Sequence, residues 1–485
     1  MIGLTFNSLH FIAFLAAVLG GFVVLRRNLV ARNVLLVAAS WYFYFRVAED
    51  VRWLLLLIGT QAFDYAFARV IERYPTGDAR RKWCVVGSCG VNLLVLGFFK
   101  YCNFFIDNFV ALNHALGGHF SERTIHIFLP AGISFYTFQS MSYVIDVYRG
   151  HMKAERNPIH YALFGAFFPL LVAGPIERAP HLLTQLRNLT RPKWDDVCHG
   201  TWLIGLGLFK KVVLADNVAR VAKAVIDADG IAPRPWESAV GVYAFALQIY
   251  CDFSAYSDIA RGVARLMGFE LMRNFDLPYF AVNPSDFWRR WHISLSTWLR
   301  DYVYIPLGGN RGGWFATYRN LFLTMLIGGF WHGATWLFVM WGAYHGILLC
   351  VHRLAQPLLK KHLAFTNRWS AGVWTFVRIV VFFQFTCVGW LLFSAKTLEN
   401  FVRLVKPFYE PKPMLKQLVT PDLVLTFAAV GITLLAAQLV KYLRDDHNVV
   451  FRLPVPLRAV VYATMILAFI VFGVFDGGEF IYFQF

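Results

Sequence analysis

Residues 320–352 read NLFLTMLIGGFWHGATWLFVMWGAYHGILLCVH, and none of these 33 residues is Asp, Glu, Lys or Arg. As one α-helix the run would be about 50 Å long at about 1.5 Å per residue, against a hydrocarbon core of about 30 Å. It therefore has to break. The glycines Gly328, Gly329 and Gly333 mark the place, and they flank a histidine, His332. Backbone that breaks at membrane depth is tolerated only where protein or a water-filled cavity covers it, so a break here sets the imidazole at a cavity wall. An ionisable group at that depth is a functional candidate by default. The structural alternative is a histidine that hydrogen-bonds a neighbouring helix.

The rest of the chain agrees with a membrane setting. Of 485 residues, 58% are hydrophobic and only 15% charged, with mean hydropathy +0.51. A water-soluble globule has no room for that much apolar surface. Apolar runs recur at 9–25, 51–71, 85–99, 125–147, 161–173, 201–214, 238–249, 321–351, 373–393, 423–440 and 460–474. Allowing for split helices, they predict roughly 10 to 13 membrane segments in an all-α polytopic protein.

The surplus of 46 Lys and Arg over 29 Asp and Glu gives +17, which in a soluble chain would raise nucleic acid as a partner. Here the cations sit between apolar runs, where they set topology, and no nucleic acid is expected. Counted by membrane span, Arg26, Arg27 and Arg32 follow span one; Arg46, Glu49, Asp50 and Arg52 follow span two and cancel. Arg73, Arg80, Arg81 and Lys82 follow span three, Glu122 and Arg123 sit in a near-neutral loop after span four, and Arg149, Lys153 and Arg156 come after the next. This alternation places the N-terminus outside and the basic loops in the cytoplasm. The N-terminal segment lacks a cationic leader region and a small-residue cleavage site and reads as a retained span.

The seven cysteines form no CxxC, so neither a disulfide framework nor a zinc site is expected. With no repeat or long linker, residues 1–485 read as one domain, with the chemistry concentrated in 245–352. The polar stretches 177–196 and 403–422 read as loops. Residues 205–226, with Lys210, Lys211, Arg220 and Lys223 punctuating apolar positions, read as an amphipathic helix lying at the cytoplasmic interface.

A second segment, NPSDFWRRWHISLSTWLRDYVYIPLGGNRGG at 283–313, predicts a helix capped at Ser285 or Asp286 and ended near Ile305 by Pro306 and the following glycines. On a wheel of about 100° per residue, Phe287, Trp291, Leu295, Trp298 and Tyr302 share one face, and Arg289, His292, Ser296 and Arg300 share the other. The cationic face and the glycine-rich LGGNRGG, whose backbone can approach a phosphate, suit an anionic ligand at the membrane surface. LGGNRGG alone matches neither the P-loop nor the dinucleotide pattern. Positive-inside anchoring is the alternative reading of these arginines.

In a third segment, FALQIYCDFSAYSDIARG at 245–262, Asp252 and Tyr256 are i, i+4 neighbours, as are Ser254 and Asp258. Each pair can share a hydrogen bond, in a structural polar network or a catalytic one. His332, His345 and His352 lack the i, i+4 spacing of a helical metal site, so no metal is expected.

These residues carry a resemblance. DFWRRWHISLSTWLRDYVYIPLGGNRGG, TYRNLFLTMLIGGFWHGATW, QIYCDFSAYSDIA, LPAGISFYTFQSMSYVIDVYRG, FFPLLVAGPIER and the terminal FIYFQF look like the membrane-bound O-acyltransferase family, and within it the bacterial alginate O-acetylation branch. The resemblance implies a multi-helix fold with re-entrant and interfacial helices and a central funnel. It implies transfer of an acetyl group from a cytoplasmic thioester, acetyl-CoA, to a secreted exopolysaccharide such as alginate or cellulose. The family's histidine falls on His332 and its second polar position on His292. Arg289, Arg290, Arg300 and Arg311 become contacts for donor phosphates, with Trp291, Asn310, Trp331, Asp252, Tyr256 and Asp258 as further binding candidates. No permanently bound cofactor is implied. The expected partners are the bilayer, a periplasmic esterase-like (SGNH) acetyltransferase and polysaccharide synthase or secretion machinery, with the protein in the bacterial inner membrane. Other acyl groups or acceptors on the same fold, such as D-alanine to teichoic acid or acylation of a lipid or protein, and a non-enzymatic channel or flippase are the alternatives.

Overall fold

A computed structural model describes residues 4, 6–119, 127–189, 191–228, 230–362, 367–410, 417–446, 448–475 and 480–481. Glu122 and Arg123 of the neutral loop, the start of the 125–147 run, the middle of the 403–422 stretch and most of the terminal FIYFQF fall outside them. Every regular element among the described residues is a helix. It forms two compact units, one of Met1–Ile204 with Ser257–Arg273 and Phe485, the other of Gly205–Tyr256 with Asn274–Gln484.

The first unit contains α1 (Leu9–Leu25), α2 (Leu29–Ala48), α3 (Val51–Arg73), α4 (Ala79–Ala115), α5 (Ile133–Tyr148), α6 (Pro158–Ala166) and α7 (Ala179–Leu186). Local chemistry sets the starts. Ser8, Asn28, Asp50, Asp78 and Asn157 each cap a helix by accepting a backbone N–H, and Pro158 opens α6 where no N–H is needed. Helix α5 is almost wholly buried. Asp64 of α3 accepts from Ser88 Oγ at 2.6 Å and from Asn92 Nδ2 at 2.8 Å, so this carboxylate between apolar helices is fully engaged.

Two arginines assigned to loops by charge counting do structural work instead. Arg32 lies inside α2, wholly buried, and its guanidinium donates to Asn33 Oδ1 and to the carbonyls of Leu186 and Asn188. Arg81, in α4, donates to the carbonyls of Tyr74, Val147 and Tyr148. A guanidinium fork gathers several carbonyls at once, a geometry that net charge does not reveal.

Helix α8 (Trp194–Leu208) runs on through a π-helical stretch, Phe209–Ala215, into α9 (Asp216–Ile226). This overturns the surface-helix expectation for 205–226. The stretch belongs to a 33-residue helix long and apolar enough to cross a membrane, and Lys210 and Lys211 are buried. The lysines are turned inward because carboxylates wait there, as described below.

The second unit continues with α10 (Pro235–Leu266, whose last residues belong to the first unit), α11 (Pro284–Arg290), α12 (Ile293–Leu299), α13 (Gly313–His332), α14 (Trp336–His362), α15 (Arg368–Ser394), α16 (Leu398–Val405), α17 (Pro421–Arg444) and α18 (Val455–Phe472). Seven helices among the described residues are long and apolar enough to span, fewer than the 10 to 13 expected. The shortfall lies in helices too short, such as α5, α6 and the 17-residue α1, and in α2, α10 and α13, whose polar residues dilute the apolar window.

The uncharged run at 320–352 breaks where its glycines predict. Helix α13 ends at His332, Gly333 is extended (φ −170°, ψ 158°), and α14 starts at Trp336. The two helices fold back as a hairpin of very close approach. A Cβ on Gly329 would lie 2.4 Å from the Phe338 carbonyl oxygen, and one on Gly342 would lie 2.6 Å from that of Met325. Only glycine permits this seam, the packing by which small residues bring membrane helices together.

Candidate active site

The hairpin places His332 at a helix end inside the second unit, 4% exposed. Its ring meets Trp331 and Trp341 edge-on at 5.0 Å each, and Phe393 of α15 at 5.4 Å. Aromatic rings thus pack around the imidazole where a cavity wall was expected. Trp331, likewise 4% exposed, is 6.2 Å from the ring of His292, which meets Phe253 of α10 on another side at 4.7 Å. One indole therefore separates the two histidines singled out in the sequence.

His292 reaches this position by a departure from the expected helix. The single helix predicted from 285 to 305 ends at Ile305 as expected but is broken in the middle: α11 gives way to Trp291 in extended conformation and His292 in the left-handed region (φ 42°, ψ 56°), and α12 then runs on through a π-helical stretch, Arg300–Tyr304. The shared cationic face of Arg289, His292, Ser296 and Arg300 does not form, because the turn reorients everything after Arg290. Left-handed backbone costs a residue with a Cβ roughly 1–2 kcal/mol. The strain turns His292, fully buried, away from the surface that carries Arg289. Strained backbone retained at a buried polar residue is a marker of function. The kink is held by Asn274, whose Oδ1 accepts from Ser294 Oγ at 2.6 Å, and by the Ile293 N–H donating to the Asn274 carbonyl.

Trp291 is core, 1% exposed, stacked on Phe287 at 5.7 Å and against Trp390 at 4.7 Å. The arginines divide. Arg290 pairs with Asp286 at 3.0 Å and donates to the Asp276 carbonyl, and Arg300 pairs with Asp301 at 2.7 Å. Arg289 and Arg311 are exposed and pair with no carboxylate among the described residues; Arg289 donates only to the Ser285 carbonyl. The LGGNRGG loop carries Gly308, Gly309 and Gly313 at positive φ, leaves Asn310 exposed, and is tied down by Asn320 Nδ2 donating to the Gly309 carbonyl at 3.0 Å.

The third segment pairs differently from its helical spacing. Asp252, 2% exposed, receives Lys211 Nζ on Oδ1 at 2.8 Å and the Ile481 N–H on Oδ2 at 2.6 Å, so its partners are not Tyr256. Lys211 also bridges to Asp216 at 3.0 Å, and Lys210 donates to Ser254 at 3.2 Å. Tyr256 packs edge-on against Phe480 at 5.2 Å. This buried network thus clasps the described part of the terminal motif. Asp258 lies further along α10, in the part that belongs to the first unit, 3.7 Å from Arg261.

Sequence reasoning passed over two features. His345, 2% exposed on α14, stacks on Phe287 with rings 6.1 Å apart and meets Trp288 at 5.1 Å and Trp341 at 4.7 Å. Trp341 therefore stands between His332 and a third imidazole. The only signal was a second uncharged-run histidine one residue before a glycine, Gly346. The Lys211, Asp216 and Asp252 cluster was signalled by paired lysines inside an apolar run, LFKKVVL, with a carboxylate five residues on. Both lysines fall in the π-helical stretch, whose residues from Lys210 to Ala215 are all buried.

Comparison with known proteins converges on the same segments. The model of the MBOAT, membrane-bound O-acyltransferase, family matches residues 154–395, which hold His292, His332 and His345. The chain is 41% identical to the probable alginate O-acetylase of Pseudomonas aeruginosa over 78% of this chain and 70% of that protein. It is 37% identical to the peptidoglycan O-acetyltransferase of Helicobacter pylori over 83% of this chain and 79% of that one. A teichoic acid D-alanyltransferase of Bacillus subtilis is 29% identical over 56% of this chain and 69% of its own length.

Proposed function

Because the chain belongs to the membrane-bound O-acyltransferase family, we propose that this multi-pass membrane enzyme passes acetyl groups from cytoplasmic acetyl-CoA across the inner membrane toward the hydroxyls of a secreted polysaccharide, with His332 as the general base. The observation that carries the reading is the site of His332: a buried imidazole at a glycine-broken helix end, one indole away from a second imidazole held by a strained turn. The relatives named for O-acetylation of alginate and of peptidoglycan support acetyl as the group and a polysaccharide as the final acceptor.

A thioester is already activated, so the protein has to position it and move one proton. His332 accepts the proton of an intermediate acceptor's hydroxyl, which receives the acetyl and hands it on to the polymer-side step, as that oxygen attacks the thioester carbonyl. The tetrahedral intermediate collapses with loss of the C–S bond, and the departing thiolate takes up the proton from the imidazolium. His292, within one indole of His332, donates its ring N–H to the oxyanion. Of the basic candidates, Arg289 and Arg311 bind donor phosphates, since both are exposed and free of carboxylates; Arg290 and Arg300 are already paired. The polymer-side step falls to a periplasmic esterase-like acetyltransferase working with the synthase or secretion machinery, and the N-terminus faces the periplasm.

A peptidoglycan acceptor is the second reading, favoured by the longer stretch over which the H. pylori relative aligns. The test is the acetyl content of exopolysaccharide and of peptidoglycan in cells with wild-type protein and with His332→Ala at equal membrane level. Loss of a general base lowers turnover about 10²–10⁴-fold. Acetyl should vanish from one polymer with its yield unchanged, and the polymer affected identifies the acceptor. Normal acetylation of both would refute the role given to His332.

A further inference from the structure

Helices α14 and α15 enclose a groove of about 630 Å³ that also takes in residues 282–284. Its long walls are apolar, and Val351 (57%), Val381 (50%) and Phe385 (44%) are strongly exposed. Both helices are long and apolar enough to cross a membrane, so side chains exposed there meet acyl chains and not water. Besides Asn283 at one edge, three polar residues interrupt the two helical walls: His352 and Gln356, one turn apart on α14, and Arg378 on α15. Arg378 is ten residues into α15 and His352 ten residues before the end of α14, so consecutive helices bring them to one depth, roughly 15 Å from those ends. Among the described residues none of the three side chains has a hydrogen-bond or ion-pair partner. An arginine within a span nearly always pairs with an acid or a carbonyl. A groove with apolar walls and one unpaired guanidinium, imidazole and amide clustered at one level between its helices is complementary to an anionic amphiphile.

We propose that this groove binds an anionic phospholipid, with the phosphodiester held by Arg378, His352 and Gln356 and an acyl chain laid along Leu348, Val381 and Phe385. A guanidinium fork takes two phosphate oxygens at once, and basic recesses between membrane helices are suited to anionic headgroups. The site bears on the chemistry through α11. Asn283, which lines the groove, caps that helix by accepting the Asp286 N–H, and Phe382 of the groove meets Phe287 of α11 at 6.1 Å. A bound lipid braces the start of the helix that leads into His292.

The experiment uses the full chain in nanodiscs with a photoactivatable phosphatidylglycerol, cross-links being mapped by mass spectrometry. Labelling should concentrate on 348–359 and 374–385 and be competed by unlabelled phosphatidylglycerol but not by phosphatidylcholine or by soluble glycerol phosphate. Arg378→Gln removes a charge-assisted contact and should lower labelling about tenfold. Because Arg378 ties no protein group, the variant should fold, as checked by its melting curve. Val381→Trp, which fills the groove with the arginine intact, should lower labelling as well. Equal labelling by a phosphatidylcholine probe, labelling unchanged in Arg378→Gln, or displacement by glycerol phosphate alone would each overturn the proposal.

Discussion

The glycine seam between α13 and α14 gives a graded prediction. A Cβ at Gly342 would stand 2.6 Å from the Met325 carbonyl oxygen and 3.1 Å from the Cα atoms of Gly329 and Leu326. These are backbone atoms inside helices, so no side chain can swing away. Ordinary contact begins at 3.4 Å, and Gly342→Ala therefore has to part the helices by about 0.8 Å. The strain is in the range of about 1–3 kcal/mol for overpacking. The catalytic effect is larger, because His332 ends one helix and Trp341, which meets its ring, sits beside Gly342 on the other. Misplacing catalytic groups by about 1 Å lowers turnover about 10²-fold. Gly329→Ala, with the Phe338 carbonyl at 2.4 Å, should do worse. Gly346→Ala, whose nearest atom is the Phe322 ring at 3.0 Å, should do less, and Gly372→Ala on α15, with nothing within 4 Å, should be silent. Acyl transfer to polymer, normalised to membrane protein level, is the assay. Full activity in Gly342→Ala, or an order that ignores these distances, would refute the idea that backbone contact across the hairpin positions His332.

Other substitutions probe the buried charges. Lys211→Met strands two carboxylates, those of Asp252 and Asp216, and should cost about 3–5 kcal/mol; adding Asp252→Asn and Asp216→Asn should restore much of the melting temperature, and a stable single variant would contradict the network. Arg32→Lys keeps the charge but loses the fork on Asn33, Leu186 and Asn188, so melting should reveal a loss of about 1–3 kcal/mol, whereas a topology anchor would tolerate lysine. The Glu177 carboxylate at 2.8 Å from His181 Nδ1 holds that imidazole above its ordinary value of 6.5. A raised folded-state value contributes stability that is complete below the unfolded value and is lost as pH climbs through the folded one. Wild-type melting temperature should thus decline on the alkaline side of 6.5, and His181→Gln should flatten that decline; parallel curves would dismiss the pair.

The sequence by itself determined the membrane class, since apolar content on this scale has no soluble solution, and it determined the break at His332. A run longer than the bilayer is thick, with glycines at one point, leaves the chain no other place to turn. The start of α11 was read only approximately: a cap was expected at Ser285 or Asp286, whereas Asn283 accepts the Asp286 N–H and Pro284 opens the helix. What lay beyond reach depended on contacts between residues far apart. The left-handed turn at His292 is favoured by Asn274 and by ring packing with Phe253, so local periodicity read through it as one helix. Lys211 looked like an interfacial cation until Asp252, distant in sequence and itself held by the Ile481 N–H, arrived beside it. Burial of charge is decided by its partner, and only the tertiary structure brings the partner there. The same holds for the site: its histidines were readable as residue types at a helix break, whereas the indoles that set His292, His332 and His345 side by side were ordered by packing among four helices and the Trp291–His292 turn.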